Sequence, residues 1–66
     1  MKNRIRVARA ELRITQQDLA EKIGVSRQTI IAIENDKFVP STMLALKMAK
    51  HFNTTVEQLF QLEEGD

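Results

Sequence analysis

Residues 15–34, TQQDLAEKIGVSRQTIIAIE, hold the pattern that decides the fold. Thr15 offers an N-cap hydroxyl, and Asp18 stands three residues on, where an acid can reach back to the cap; Asp replaces the longer Glu of the usual capping box. Leu19, Ala20 and Ile23 form the inward stripe of a short helix. Gly24 ends it, because a left-handed C-cap strains any residue that carries a side chain. Ser26 reopens the chain as a second N-cap, and Ile30 with Ile33 carries the buried face of the next helix as far as Glu34. Two amphipathic helices joined by a short Gly-Val turn cross steeply, so the second stands proud of the body with one face free.

The rest of the chain supplies three more helices. Ile5, Ala8 and Leu12 recur at helical spacing among Arg and Glu and predict a first helix over about residues 2–13. Asn35, Asp36 and Lys37 are turn formers, and Pro40 followed by Ser41 marks a fourth helix running to about Phe52, with Leu44, Ala45, Met48, Ala49 and Phe52 along one side. Asn53 and Thr54 break it. Thr55 then caps a short fifth helix carrying Val56, Leu59 and Phe60. No segment has strand period, no repeat is present, and Glu63, Glu64, Gly65 and Asp66 read as a frayed acidic tail. The expectation is an all-α, five-helix domain over residues 1–62 with a tail at 63–66.

Sixty-six residues allow one domain at most, burying roughly 60% of the surface exposed on unfolding. With no cysteine, helix packing or dimerisation must supply what a disulfide or thiolate metal site would otherwise add. No apolar run reaches the ~20 residues that cross a bilayer, and the Met1–Arg6 start is charged rather than signal-like, so the expected location is cytoplasmic, away from membranes. The formal net charge of +1 hides an asymmetry. All ten Lys and Arg lie in the first fifty residues against five acids (Glu11, Asp18, Glu21, Glu34, Asp36), whereas Glu57, Glu63, Glu64 and Asp66 fall in the last ten. A basic body with an acidic end suits a chain that turns one surface toward phosphates, although ordinary solvated charge fits this feature equally well.

The free face of the third helix carries the functional signal. With Ile30 and Ile33 inward, Arg27, Gln28, Ile31 and Ala32 face out. Arg and Gln near the start of a protruding helix are suited to bidentate hydrogen bonds with guanine O6/N7 and adenine N6/N7, and Ile31 and Ala32 to thymine methyls. Taken singly, Arg27 and Gln28 would pass for solvated helix positions. The wider pattern resembles the Xre family, the helix-turn-helix domains typified by Cro proteins and the N-terminal repressor domains of lambda-like phages. It comprises Arg9, Thr15-Gln16 with Leu19-Ala20, Gly24-Val25-Ser26, Ile30, Ile33-Glu34-Asn35, Pro40, and Val56-Glu57 with Leu59-Phe60.

That resemblance implies roles, one position at a time. Gln16 would bind phosphate at the second helix's start and brace the recognition helix, beside N–H groups that favour an anion. Arg27, Gln28 and Thr29 would contact base edges, with Ala32 one turn on. Asn35 and Lys37 would meet the DNA backbone, and Ser41 and Thr42 are weaker phosphate candidates. Arg9 and Glu34 would form a structural ion pair between the first helix and the end of the third. The sequence departs from the pattern at Asp36, where many relatives have glycine, and at Ala32, where some repressors have a longer polar residue. No basic arm precedes the first helix, so minor-groove reading by such an arm is not expected.

Double-stranded DNA is therefore the expected partner, read as a palindromic operator by a homodimer acting as a transcriptional regulator, in the first instance a repressor. One helix reading ~4–5 base pairs cannot single out an operator among 10⁶ or more competing sites, and a dimer is the usual remedy. Val56, Leu59, Phe60 and Leu62 are the candidates for its two-fold interface; closing the core against Phe52 is the alternative for the first three. Met43, Leu46 and Met48 are core or interface residues. His51, the only histidine, lies beside Lys50 with no cysteine to share a metal. No nucleophile has a plausible base and no Gly-rich loop cradles a phosphate, so no enzyme, metal, cofactor or small-molecule ligand is expected. The competing class is a protein-interaction module such as an antitoxin or anti-repressor, which usually adds an extension not seen after residue 62. Without a sensor domain, control would come from abundance, a partner protein or autoregulation.

Overall fold

The computed structural model describes residues 1–66 in the order β1 (Lys2–Asn3), α1 (Ile5–Leu12), α2 (Gln16–Ile23), α3 (Arg27–Glu34), α4 (Thr42–His51), α5 (Val56–Leu59) and β2 (Phe60–Gln61). The expected caps are present. Thr15 accepts from the Asp18 backbone N–H at 3.0 Å while the Asp18 carboxylate accepts from the Thr15 N–H at 2.9 Å, closing the box. The Thr15 backbone N–H first, and then the Thr15 hydroxyl, hold the Asp18 carboxyl below its ordinary pKa. Ser26, Ser41 and Thr55 cap α3, α4 and α5 in the same manner, each accepting from the N–H three residues on.

Four of the five helices end through a left-handed residue, yet only one of the four is glycine: Arg13, Gly24, Asp36 and Asn53 have φ of 56°, 78°, 59° and 54°. At Asp36 the pattern is a Schellman turn, with the Asp36 N–H on the Ile33 carbonyl at 3.1 Å and the Lys37 N–H on that of Ala32 at 2.9 Å. This places an L-residue where glycine is unstrained, at a cost of roughly 1 kcal/mol or more.

Ten residues make the core: Ile5, Leu19, Ala20, Ile23, Ile30, Ile33, Ala45, Met48, Leu59 and Phe60. The inward stripes of α2, α3 and α4 fall as the spacing requires. Leu12 does not; it is 50% exposed, because α1 stops there and Arg13 turns the chain away.

The expectations for the two ends of the chain need correction. The first helix starts at Ile5 rather than residue 2, and the chain does contain strand: β1 pairs antiparallel with β2, Lys2 opposite Gln61 and Asn3 opposite Phe60. Phe60 thus belongs to a strand and not to the fifth helix. Two residues per strand are too few to show period-2 patterning. The last residues are also not frayed: the Met1 ammonium lies 3.2 Å from Glu63 and 3.0 Å from Asp66, and the Asp66 carboxylate accepts from the Glu63 N–H at 2.7 Å. Bonds to Asp66 and Glu63 raise the ammonium pKa, while the Glu63 N–H and then the ammonium lower that of Asp66. The fold class is unaffected, an all-α domain of five helices with this small terminal sheet.

Candidate nucleic-acid interface

Helix α3 has one face locked into the protein and one free. Ile30 and Ile33 are at most 1% exposed, and Gly24 makes the turn that delivers them, its N–H and that of Val25 both bonding the Ala20 carbonyl at 2.9 and 3.0 Å. The opposite side carries Arg27 and Gln28, both exposed, with Thr29, Ile31 and Ala32 half-buried behind them. The Thr29 hydroxyl sits 2.9 Å from that of Ser26, so it is already engaged at the cap. Arg27 and Gln28 hydrogen-bond to no other side chain and stand free at the helix tip.

An open cleft of about 620 Å³ lies beside that tip, lined by Arg9, Ile14, Thr15, Gln16, Gln17 and Arg27. It joins the amino end of α2, whose first N–H groups have no helical partner, to the start of α3. A phosphate in this cleft would meet the positive end of α2 and the Arg27 guanidinium together.

Beneath the cleft a buried carboxylate gathers the elements. Glu34 ends α3 with its side chain 1% exposed. The Arg9 Nε and Nη2 donate to its two oxygens at 2.6 and 3.1 Å, and the Gln16 Nε2 donates to Oε1 at 3.3 Å. The remaining Arg9 nitrogen, Nη1, donates to the Ile14 carbonyl at 3.1 Å. Burial alone would push the Glu34 carboxyl up; the bonds from Arg9 and Gln16 and the charges of Arg9 and Arg6 outweigh it and hold the pKa below its ordinary value. The expected Arg9–Glu34 pair is thus a bidentate bridge between α1 and α3 that also fixes Gln16, the residue assigned to bracing and phosphate contact.

The other phosphate candidates lie on two further edges. Asn35 and Lys37 are exposed just past α3, and Ser41 and Thr42 are exposed at the start of α4, where the Ser41 oxygen is occupied by the Leu44 N–H at 3.1 Å and its proton remains free to donate. Two participants escaped the sequence reading. Arg6, one turn before Arg9, places its Nε 3.5 Å from Glu34 and donates from Nη2 to Asn35 Oδ1 at 3.4 Å. Asn3 donates from one amide nitrogen to the Ile33 carbonyl at 2.9 Å and to Asp36 Oδ1 at 3.0 Å, tying β1 to the end of α3. The i, i+3 spacing of Arg6 and Arg9 was the only signal for the first.

A family described as Helix-turn-helix matches residues 5–59. The chain belongs to the helix-turn-helix family. This Xre-like helix-turn-helix protein is 52% identical over 66 residues, the whole of both chains, to a protein of Methanocaldococcus jannaschii described as an uncharacterized HTH-type transcriptional regulator. It is 47% identical over 64 residues, 97% of each chain, to the Bacillus subtilis protein YgzD, and 45% identical over 66 residues to a protein of Archaeoglobus fulgidus, covering all of this chain and 94% of that one; both bear the same description. Matches of this extent make the chain a transcriptional regulator with a helix-turn-helix DNA-binding domain.

The proposed dimer residues fall in different places. Leu59 and Phe60 are buried at 2% and 8% exposure, Val56 is half-buried and Leu62 is 80% exposed. The first two close the core within one chain, and only Val56 and Leu62 offer surface to a second copy. Met48 is core, while Met43 and Leu46 are on the surface. His51 packs edge-on to Phe52 with ring centres 5.2 Å apart, and no three His, Cys, Asp or Glu are grouped to hold a metal ion. No helix is long and apolar enough to cross a membrane.

Proposed function

We propose that this helix-turn-helix protein is a sequence-specific repressor that reads a palindromic operator through the major groove as a homodimer in the cytoplasm. The observation that carries this reading is the division of α3: Ile30, Ile33 and Glu34 are held in the core and ion-pair hub, so Arg27 and Gln28 are presented on a helix anchored along its inner face. Rigid presentation matters because a bidentate base contact is geometric, contributing about 1–3 kcal/mol only when donor and acceptor align. Arg27 and Gln28 are the direct readers, with Ile31 and Ala32 contributing apolar contact and Thr29 a secondary one. Gln16, Asn35, Lys37, Ser41 and Thr42 hold the backbone on either side and set the register.

The two-fold contact uses Val56 and Leu62 at the surface, with Leu59 and Phe60 stiffening the segment from within. Two copies so joined would set their α3 helices about one DNA turn apart, ~34 Å. Occupying a promoter in this way blocks other proteins by exclusion alone, which favours repression. Selection of duplexes from a random pool, followed by sedimentation of the protein with the enriched sequence, tests the reading. An inverted repeat bound by two chains is the expected result; absence of any enriched sequence rejects it.

A further inference from the structure

We infer that Arg6 is a DNA-backbone anchor at the carboxyl end of the recognition helix, paired across that helix with the phosphate cleft at Gln16 and Arg27. The inference rests on the DNA-reading role proposed above and adds a residue that role did not contain.

Charge bookkeeping within the hub leads to it. Arg6, Arg9 and Glu34 together carry one surplus positive charge. Arg9 is 16% exposed in its side chain and spends all three guanidinium nitrogens inside the protein, two on Glu34 and one on the Ile14 carbonyl. Glu34, already satisfied by Arg9 and Gln16, gives Arg6 only a 3.5 Å contact at Nε. The Arg6 side chain remains 67% exposed, so the surplus charge of the cluster is delivered to the surface through this one guanidinium. It is aimed as well as exposed: Nη2 reaches Asn35 Oδ1 at 3.4 Å. Asn35 Oδ1 accepts from Arg6, so the two N–H donors of the Asn35 amide are not used in that bond and no other side chain takes them.

The position needs such a cation. The carboxyl end of a helix carries a partial negative charge, and Asp36, held toward Asn3 at 3.0 Å, adds a full one. A backbone phosphate passing Asn35 would be repelled by both without Arg6. Lys37 is the next positive charge along the chain, one residue past Asp36. Arg6 thus makes usable a backbone contact that Asp36 would otherwise weaken.

The test is anisotropy titration of the full chain on a mixed-sequence duplex of about 30 base pairs, over roughly 50–200 mM salt. Arg6→Ala and Arg6→Gln should each make the log K against log salt slope shallower by about 0.9, so that the wild-type advantage shrinks three- to fourfold across that range. Arg6→Lys should keep the wild-type slope, and Lys37→Ala should lose a similar amount. Arg6→Gln places an uncharged amide nitrogen where Arg6 Nε approaches Glu34, so slope loss in that variant, with an unchanged melting temperature, separates phosphate binding from packing. A wild-type slope in Arg6→Gln and Arg6→Ala, alongside a reduced one in Lys37→Ala, overturns the assignment of Arg6 and leaves the DNA reading intact. No salt-dependent duplex binding by the wild type removes both.

Discussion

Replacing Glu34 by Gln keeps the side chain's shape and deletes the charge on which α1, α2 and α3 converge. Three donors lose their anion: Arg9 Nε and Nη2 at 2.6 and 3.1 Å and Gln16 Nε2 at 3.3 Å. Stripping one partner from a fully buried pair costs roughly 3–5 kcal/mol. Arg9 here keeps its 3.1 Å bond to the Ile14 carbonyl and has some access to water, which lowers the expectation to about 2–4 kcal/mol. A 66-residue chain holds only about 3–10 kcal/mol in total, and each kcal/mol moves the midpoint by about 4–8 °C. Thermal unfolding followed by circular dichroism should therefore show Tm lower by about 8–32 °C.

The same carboxylate gives a pH signature with a definite sign. Its pKa is lower folded than unfolded, so its contribution is complete above the ordinary glutamate value near 4.3 and is lost as pH falls through the depressed folded value. As pH falls below the ordinary glutamate value, wild-type stability should decline more steeply than that of Glu34→Gln. The double variant Arg9→Met with Glu34→Gln should lose less than the two singles combined, because the second change removes a charge already orphaned. A Tm for Glu34→Gln within about 4 °C of wild type, or equal acid slopes, would show that the hub does not hold the fold.

Five further substitutions probe separate links. Arg27→Ala and Gln28→Ala should each weaken the selected operator by about 1–3 kcal/mol and relax preference at one base pair, seen by competition with single-base variants, whereas Lys37→Ala should weaken all duplexes alike. Gly24→Ala meets no atom within 4 Å of the added Cβ, so its cost is conformational at φ 78°, about 1–2 kcal/mol in urea unfolding; a neutral result would contradict the turn. Asp36→Gly should relieve about 1 kcal/mol of left-handed strain while losing the hydrogen bond from Asn3, for near-neutral stability by the same measurement. Removing that anion should tighten binding to mixed-sequence DNA at low salt, and weaker binding would refute the placing of Asp36 near phosphates.

What could be read in advance follows from where the physics is local. Capping residues at 15, 26, 41 and 55 act on N–H groups three residues away, so Ser and Thr followed by apolar spacing marked those helix starts correctly. Helix ends were harder. Gly24 announces a left-handed turn by its composition, and Asp36 was marked as a turn former, but Arg13 adopts the same conformation with nothing in its side chain to declare it. The β1–β2 pairing joins residues some sixty positions apart over two residues each, and neither periodicity nor turn chemistry encodes so short a contact. The ion-pair hub was half legible. Resemblance supplied Arg9 and Glu34, while the approach of Arg6 and Gln16 to the same carboxylate depends on how three helices meet.

The division of labour along α3 constrains how such a protein can change its target. Ile30, Ile33 and Glu34 each have partners in the core or the hub, so substitutions there alter stability first and binding through it. Arg27 and Gln28 are exposed and hydrogen-bond to no neighbouring side chain, and exposed positions of this kind usually shift stability by no more than about 0.5 kcal/mol. Exchange of Arg27 and Gln28 for other polar residues should therefore redirect the selected sequence with Tm nearly constant. A loss of several degrees on changing these two residues alone would mean that the reading face and the folding core are one and the same, and that the free face of α3 is not free.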